Sequence, residues 1–509
     1  MGERVGDGRY AAEWSRVKVQ QTVVSESEWA RQQSEHHGGL SGFQLLPHGM
    51  EAYARRMLLA ERAERTLDIQ TYILEDSHSI RRLLRHLIAA AERGVKVRLL
   101  IDDLTVGHQQ GRLSRLESHP NISIRVFNPI RSGRRFAITR IISLMLDARR
   151  LNRRMHNKLW ITDGAYAIWG GRNLSDRYFY SDAFSFFDMD ALAVGGQTVS
   201  DLQASFDCYW KHPLAEPLSS FIRAKAGEWQ RLDVELRLRC HEQSEIGQVY
   251  DDALAELRDD PREVLLEQLE WAEAIVHYDD PESMTFTEKS PHALRMNNAI
   301  KKELESVKES LQIVAGYFIP HDLNGIDIFA LLNRGVKVAI TTNSLESTDV
   351  PLVHGAYARW RRPLLKAGAK LFETRYHVRS RQRLIARIRT RTRLKLSRTR
   401  TSSLHAKTFV FDRDRIMIAS FNFDPRSVWW NSEIGVVIHS EKLNRELSLI
   451  NAIGMLPEYS YRLRLINGVL RWFSISHTEK LREYTFERGN PWRRFQGWLS
   501  RILGIEHLL

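Results

Sequence analysis

The chain has 509 residues, which allows two or more domains and a large hydrophobic core. Its net charge of +13 favours an anionic partner, either nucleic acid or an anionic membrane surface. Two cysteines argue against a disulfide framework or a cysteine metal site. No run of about 18 apolar residues is present, so no transmembrane span is expected. The start at Met1 lacks the apolar core of a signal peptide.

The first elements in chain order predict an α/β fold. Residues 1–40 are polar and without a clear period, so we expect a peripheral or poorly ordered arm. A helix is predicted from Leu45 to Arg65, a strand over 67–74 and an amphipathic helix over 79–92. Gly94 ends that helix, and the next strand follows at 95–101. This strand–helix–strand order is typical of a parallel pair in a layered α/β fold.

The same unit returns in the second half of the chain. A strand is predicted at 311–318, and a helix ends near Asn333. The letters Arg-Gly-Val-Lys-Val then occur at 334–338 as they do at 93–97, 241 residues earlier. This repeat indicates an internal duplication with two similar halves.

A histidine–lysine motif also occurs once in each half. Each copy has a histidine, a lysine, an aspartate, a pair of small residues and an asparagine: His156, Lys158, Asp163, Gly170, Gly171 and Asn173, then His405, Lys407, Asp412, Ala419, Ser420 and Asn422. The two histidines lie 249 residues apart, close to the separation of the repeated strand. One copy could be two ordinary strand edges with solvated side chains, but a pair in register favours a shared site.

These residue types suit the chemistry of a phosphodiester, whose negative charge repels nucleophiles. Two lysines and two asparagines can hold the nonbridging oxygens, and small residues let the backbone approach the phosphate. One histidine can attack phosphorus while the other protonates the leaving alcohol. The lysines and a protonated histidine supply the positive charge, so we expect neither a metal nor another cofactor.

Each motif is followed by a carboxylate that could orient a histidine. Asp188 lies 32 residues after the first histidine, and Glu433 lies 28 residues after the second. A carboxylate at the other ring nitrogen fixes the tautomer and stabilises the cation. Asp190 is the alternative to Asp188. Asp163 and Asp412 are candidate catalytic residues as members of the motif, but we favour a structural role, since neither needs to face the phosphate.

The duplicated motif resembles the signature of the phospholipase D superfamily. The chain is similar, from about Leu45 to its C-terminus, to bacterial cardiolipin synthases, particularly the C-type branch. The segments that carry this resemblance are Arg154-Met155-His156-Asn157-Lys158, Gly170-Gly171-Arg172-Asn173, Phe206-Asp207-Cys208-Tyr209-Trp210 and Asp424-Pro425-Arg426-Ser427. Ala419 departs from the pattern, where glycine is usual, and costs little if its φ is negative.

The resemblance implies a fold with two pseudo-symmetric phospholipase D-like lobes, each a mixed sheet flanked by helices, with the active site at the seam. It also implies His156 as nucleophile, His405 as general acid and Asp188 as an orienting acid. The expected phosphate-binding residues are the two lysines with Asn173, Asn422, Ser420 and Gly171. The predicted divisions are an arm at 1–40, a first lobe at 41–214, a helical connector at 215–270, a second lobe at 271–450 and a basic aromatic extension at 451–509.

The implied reaction is transfer of a phosphatidyl group from a glycerophospholipid to a histidine and then to phosphatidylglycerol, which gives cardiolipin. The donor is phosphatidylglycerol or phosphatidylethanolamine. We expect a peripheral enzyme on the bacterial inner membrane, at its cytoplasmic face, with an anionic membrane surface as partner. A phospholipase D hydrolase is one alternative. A nuclease is another, which sparse aromatics in the second basic segment disfavour.

Three further segments allow more than one interpretation. Basic, partly apolar stretches at 131–154 and 379–400 precede the two histidines and favour anionic lipid headgroups, with a solvated helix face as the alternative. The extension from about Leu456 is basic and carries Trp472, Phe473, Trp492, Phe495 and Trp498. We favour docking of these aromatic residues onto the second lobe over anchoring in a membrane interface.

Overall fold

The computed structural model describes residues 24–107, 109–130, 148–179, 184–241, 244–258, 262–285, 295–321, 323–376, 401–475 and 480–503. The basic stretches predicted at 131–154 and 379–400 lie largely or wholly outside these residues. Among the described helices, none combines the length and apolar character that a membrane crossing requires.

The first half of the chain contains one mixed sheet, two short strands outside that sheet, and helices around them. Its strands are β1 Ser41–Leu46, β2 Thr66–Thr71, β3 Lys96–Asp102, β4 Ile122–Phe127, β5 Arg154–Met155, β6 Leu159–Thr162, β7 Tyr166–Gly170, β8 Ser185–Phe187, β9 Asp190–Val194 and β10 Ala215–Pro217. Its helices are α1 Glu26–His36, α2 Gly49–Arg62, α3 His78–Glu92, α4 Asp103–Val106, α5 Gln110–Glu117, α6 Ala148–Leu151, α7 Asp176–Phe179 and α8 Gly196–Lys211, with a 3-10 turn at Leu218–Ser220.

The connector and the second half follow. The connector forms α9 Glu228–His241, α10 Ser244–Arg258 and α11 Arg262–Gln268. The later strands are β11 Glu270–Tyr278, β12 Ser310–Ala315, β13 Lys337–Asn343, β14 Lys370–Thr374, β15 Ser402–Leu404, β16 Lys407–Phe411, β17 Arg415–Ala419, β18 Asn431–Ser432, β19 Ile434–His439, β20 Ser460–Ile466, β21 Val469–Ile475 and β22 Leu481–Tyr484. The later helices are α12 Arg295–Ser306, α13 Ile328–Asn333, α14 Pro351–Ala358, α15 Arg361–Lys366, α16 Pro425–Trp429, α17 Glu441–Gly454 and α18 Pro491–Leu503, with a 3-10 turn at Pro281–Met284.

The two halves repeat one strand order. In the first half the neighbours run β4-β3-β2-β6-β7-β9-β1, with β2, β3 and β4 parallel and the rest antiparallel. In the second half they run β14-β13-β12-β16-β17-β19-β11, again with a parallel trio followed by antiparallel strands. The antiparallel pair β1–β11 joins the two sheets. The predicted α/β fold with two similar lobes is confirmed.

Burial explains why these segments pack as they do. Helix α3 buries Ile80, Leu83, Leu84 and Leu87 on one face, at the three- and four-residue spacing of an amphipathic helix. A second apolar cluster lies between the two sheets, where the Trp169 indole donates to the Ile418 carbonyl at 3.0 Å. The lobes therefore share a core at the seam.

Several predicted boundaries differ from the structure. Residues 24–40 of the predicted arm include α1, which buries Trp29 and Ala30. The predicted connector begins with β10, which pairs with β4 and so extends the first sheet. The predicted C-terminal extension begins within α17 and includes β20, which pairs with β14 and extends the second sheet. In each case a few residues reach an open sheet edge or apolar surface, which local sequence patterns do not reveal.

Candidate active site

Two short parallel sheets between the lobes bring the motifs together. Strand β5, which leads into His156, pairs with β18, which leads into Glu433. Strand β15, which leads into His405, pairs with β8, which leads into Asp188. Each catalytic-motif histidine thus enters the site beside a carboxylate from the opposite half of the chain.

The first pair is His156 with Glu433. The Nδ1 atom of His156 donates to the Glu433 carboxylate, with distances of 2.8 and 2.9 Å to its two oxygens. The carboxylate also accepts from Asn431 Nδ2 at 3.2 Å and from the Ser420 hydroxyl. With the proton held on Nδ1, the lone pair of the His156 ring lies on Nε2.

The second pair is His405 with Asp188. The Nδ1 atom of His405 donates to Asp188 Oδ2 at 2.6 Å. The backbone amide of Met189 donates to the other carboxylate oxygen at 2.8 Å, which fixes the carboxylate plane. On the far side of the ring, the Tyr178 hydroxyl lies 3.5 Å from His405 Nε2. Asp188 and Glu433 therefore serve the histidines of the opposite halves, a pairing that sequence separation did not indicate.

The two pairs differ electrostatically. Burial lowers the pKa of His156 well below its ordinary value, and the charges of Lys158 and Lys407 lower it further. Burial also lowers the pKa of His405, while Asp188 opposes that shift. Burial raises the pKa of Glu433 to about 7, although Lys158 opposes it. For Asp188, burial is outweighed by His405 and the nearby cations, which hold its pKa at about 2.

The lysines make the site cationic and able to take an anion. Lys158 and Lys407 are buried, and each Nζ donates to the carbonyl of the histidine two residues before it. Burial lowers the pKa of Lys158 to about 7 and lowers that of Lys407 as well. Each lysine contributes to the depressed pKa of His156, so residues of both halves act in one site. A bound phosphodiester would add negative charge to that of Asp188 and Glu433 and would favour the charged form of both lysines.

The motif asparagines are placed differently from each other. Asn173 accepts from the Ile73 amide at 3.2 Å and donates to the Tyr178 hydroxyl at 2.9 Å. The Asn422 side-chain oxygen is buried, and no hydrogen-bond partner for it occurs in the described part of the chain. Asn173 therefore links the first motif to the tyrosine beside His405, whereas Asn422 retains polar capacity at the site.

The small residues contact the orienting carboxylates, and their approach to phosphate stays a prediction. The Gly171 amide donates to the Met189 carbonyl at 3.1 Å, and a Cβ at Gly171 would meet Asp188 Oδ1 at 2.1 Å. Ser420, at the equivalent place in the second half, donates to Glu433. Both positions contact an orienting carboxylate, so their first role is to accommodate or hold that acid. Ala419 avoids positive φ, as its tolerance required.

Asp163 and Asp412 lie away from the histidines and cap the starts of strands. The Asp163 carboxylate accepts from the amides of residues 64, 65 and 66 at 2.7–2.9 Å. The Asp412 carboxylate accepts from the amides of residues 308, 309 and 310, the last at 2.9 Å. Both have positive φ in tight turns. This geometry gives both aspartates a structural role and corrects their assignment as catalytic residues.

Asp190 does not orient a histidine either. Its carboxylate pairs with Arg56 at 2.8 Å and with Arg172 at 3.4 Å, all of them buried. Arg172 also donates to the carbonyl of Asp188 at 2.6 Å. Asp190 therefore supports the backbone that carries Asp188.

Two positioning residues were missed by the sequence reading. Asp102 accepts from the amide of Met155 at 3.0 Å, and Asn343 accepts from the amide of Leu404 at 2.8 Å. Each thus holds the residue before a motif histidine. The signal was present in the repeat, because Asp102 and Asn343 end the two repeated strands and lie 241 residues apart.

Comparisons with known proteins agree with this geometry. A family model described as "Cardiolipin synthase, PLD-like domain" matches residues 58–210 and 300–450. Cardiolipin synthase C of Escherichia coli K12 is 35% identical over 489 residues, which cover 93% of this chain and 97% of that protein. Cardiolipin synthase 2 of Staphylococcus epidermidis is 24% identical, over 76% of this chain and 62% of that protein.

A solved structure of phosphatidylserine synthase from Haemophilus influenzae has the same fold, with a TM-score of 0.59 at 13% identity. The match covers 94% of this chain and 99% of that one, and it concerns the fold alone. The family model covers more than half of the chain in two blocks, one for each lobe and each with one histidine–lysine motif. On this evidence the chain belongs to the cardiolipin synthase family with phospholipase D-like domains.

Proposed function

We propose that the protein is a cardiolipin synthase that transfers a phosphatidyl group through a histidine of the seam. The observation that carries this proposal is the pair of buried histidines, each held at Nδ1 by a carboxylate of the opposite lobe. Such an arrangement presents two Nε2 atoms to a phosphodiester, one for attack and one for proton transfer. The family relatives named as cardiolipin synthases support the substrate class.

In the first step, His156 Nε2 attacks the phosphorus of the donor phospholipid. A P–N bond forms and the P–O bond to the headgroup alcohol breaks, while His405 gives its proton to the leaving oxygen. The assignment of roles is supported by the lower pKa of His156, which keeps it neutral and nucleophilic. It is also supported by the ionised Asp188, which favours the protonated form of His405.

In the second step, a hydroxyl of phosphatidylglycerol attacks the phosphohistidine. His405 takes the hydroxyl proton, the new P–O bond forms, the P–N bond breaks, and cardiolipin leaves. Lys158 and Lys407 neutralise the nonbridging oxygens, with the side-chain amide N–H of Asn422 as a further donor. Water in place of the lipid hydroxyl would give phosphatidic acid, so the acceptor decides between transferase and hydrolase.

Phospholipid substrates support a site of action at a membrane surface. The net charge of +13 favours an anionic surface, as phosphatidylglycerol provides. We assign the protein to the cytoplasmic face of the bacterial inner membrane as a peripheral enzyme. The donor is phosphatidylglycerol or phosphatidylethanolamine, and the assay must separate the two.

Lipid mass spectrometry tests the reaction directly. Purified protein is given isotope-labelled phosphatidylglycerol vesicles, with and without phosphatidylethanolamine, beside the variants His156→Ala and His405→Ala. We expect labelled cardiolipin from the wild type and a loss of at least about 10³-fold in both variants. Phosphatidic acid as the only product would mean that water is the acceptor and that the enzyme is a hydrolase. Absence of any lipid product from a folded wild type would reject the proposed activity.

A further inference from the structure

The C-terminal helix α18 exposes a continuous aromatic face. Trp492, Phe495, Trp498 and Ile502 follow one another at helical spacing, and they are 64, 45, 53 and 60% exposed. The rings of Phe495 and Trp498 stack with centroids 5.9 Å apart, and Trp492 stacks on Phe495 at 5.6 Å. Large aromatic residues are seldom this exposed together unless the surface meets a partner.

The exposure does not come from a loosely attached helix, because the opposite face is packed tightly. Gly497 and Ser500 are buried against Gly355 of α14, where an added Cβ would meet the Gly497 carbonyl at 2.3 Å. Arg493 donates to the carbonyls of Leu345 and Thr348 at 3.3 and 2.6 Å. The small residues thus attach the helix to the second lobe and leave the rings pointing outward.

The segment before the helix is also fixed. Glu487 accepts from the buried Arg361, which also donates to Glu373 at 2.6 Å, and it pairs with His354. The Arg361 guanidinium thus lies among two carboxylates and one imidazole, and the four side chains form an ion-pair network. This network ties the chain entering α18 to α14 and α15.

The helix is basic beside its aromatic face. Within Pro491–Leu503 there are three arginines and no acidic residue. Arg494 and Arg501 are exposed at the side of the aromatic face, while Arg493 lies toward the protein. A tryptophan-rich face flanked by arginines matches the headgroup region of an anionic membrane, where rings enter the interface and cations meet phosphates.

The helix also lies on the side of the lobe that carries the site. Asn343 ends β13, and its side chain bonds the carbonyl and amide of Leu404, the residue before His405. The loop that continues from Asn343 supplies Leu345 and Thr348, which Arg493 holds. One short loop therefore connects the aromatic helix to the backbone beside a catalytic histidine.

We propose that the face formed by Trp492, Phe495, Trp498 and Ile502 is the surface by which the enzyme docks on an anionic lipid bilayer. The proposal rests on the proposed function, because it explains how a site at the seam receives lipid headgroups. It corrects the sequence-based preference for docking of these rings onto the second lobe, since Gly497 and Ser500 make that contact instead.

Vesicle cosedimentation with the full chain tests the proposal. Vesicles contain phosphatidylethanolamine with or without phosphatidylglycerol, and the variant is Trp492→Ser/Phe495→Ser/Trp498→Ser. We expect its partition coefficient on anionic vesicles to fall by roughly tenfold or more. The control Val234→Ser/Leu238→Ser removes exposed apolar side chains of α9, which are 56 and 61% exposed, and should stay within about twofold of the wild type.

The outcomes separate the docking surface from the reaction. Equal vesicle binding by the triple variant and the wild type overturns the docking surface, even if both make cardiolipin. If the triple variant binds vesicles more weakly but the wild type makes no cardiolipin, the proposed reaction is rejected and the docking surface is supported. If the triple variant does not fold, a bimane dye on Phe495→Cys in a Cys208→Ser/Cys240→Ser background replaces it. Quenching of the dye by brominated acyl chains is then expected, and its absence overturns the proposal.

Discussion

The exchange of carboxylates between the lobes makes an unequal prediction for Asp188→Asn and Glu433→Gln. Each change removes one negative charge while it keeps the side-chain size. In the wild type, a Glu433 carboxylate oxygen lies 2.9 Å from His156 Nδ1. Glu433→Gln replaces that carboxylate with a neutral amide. Asp188→Asn does the same at His405, where the contact is 2.6 Å. Neither amide stabilises the positive charge that develops on the ring during phosphoryl transfer.

The magnitudes follow from the ionisation of the two acids. In the serine protease triad, loss of the orienting carboxylate costs about 10⁴-fold in kcat, or about 5 kcal/mol in the barrier. The pKa of Asp188 is about 2, so its carboxylate is fully charged at pH 7, and we expect the whole effect. The pKa of Glu433 is about 7, so its carboxyl group is ionised in about half of the molecules at pH 7. The loss for Glu433→Gln should be smaller at pH 6 than at pH 8, since a carboxyl group is charged above its pKa.

Nitrogen NMR of histidine-labelled protein assigns each acid to its ring without relying on activity. The signals of His156 and His405 are identified by their loss in His156→Ala and His405→Ala. Asp188→Asn should move the Nδ1 signal of His405 and leave that of His156 nearly unchanged, and Glu433→Gln should do the reverse. If Asp188→Asn moved only His156, each acid would serve its own half and the cross-lobe pairing would be refuted.

Three further changes test other contacts. Gly171→Ala should lower cardiolipin formation by about 10²-fold or more, because the new Cβ displaces the Asp188 carboxylate; Gly111→Ala, with open space around it, is the matched control. In Lys158→Arg, the decrease of kcat/KM at alkaline pH should begin at a higher pH than in the wild type. The reason is that Lys158, whose pKa is lowered to about 7, loses its charge as pH rises, whereas arginine stays charged. If the decrease begins at the same pH in the variant, Lys158 is not its cause. Asp163→Ala should lower the free energy of unfolding in urea by about 1–3 kcal/mol, since three amides lose their acceptor. A loss of turnover in folded Asp163→Ala protein would contradict its structural role.

The fold and the motif residues were readable from the sequence because they are repeated. The Val-Lys-Val strands and the histidine–lysine motifs recur at similar separations, and both become corresponding strands of the two sheets. The partner of each histidine could not be read in this way. It is set by the short pairs β5–β18 and β8–β15, whose strands have two or three residues and no distinctive pattern.

The orientation of the C-terminal helix shows a second limit. Its sequence has an aromatic face and a face of small residues, and aromatic burial is the usual outcome. Here the surface of α14 presents Gly355, and only a helix face with Gly497 and Ser500 can approach it. Which face is buried thus depends on the shape of a neighbouring helix that lies about 140 residues earlier in the chain.

The seam also shows how a duplicated unit can form one site with two different functions. Within each half, the small residue after the motif contacts the acid of the same half: Gly171 leaves space for Asp188, and Ser420 donates to Glu433. Each acid then contacts the histidine of the other half. A change at the small pair of one lobe therefore alters the histidine of the opposite lobe. Burial raises the pKa of Glu433 to about 7 although Ser420 donates to it, whereas at Asp188 the effect of burial is outweighed by His405 and the nearby cations, which hold the pKa at about 2. Because each motif histidine is paired with a carboxylate of the other lobe, neither lobe alone contains a complete pair of this kind.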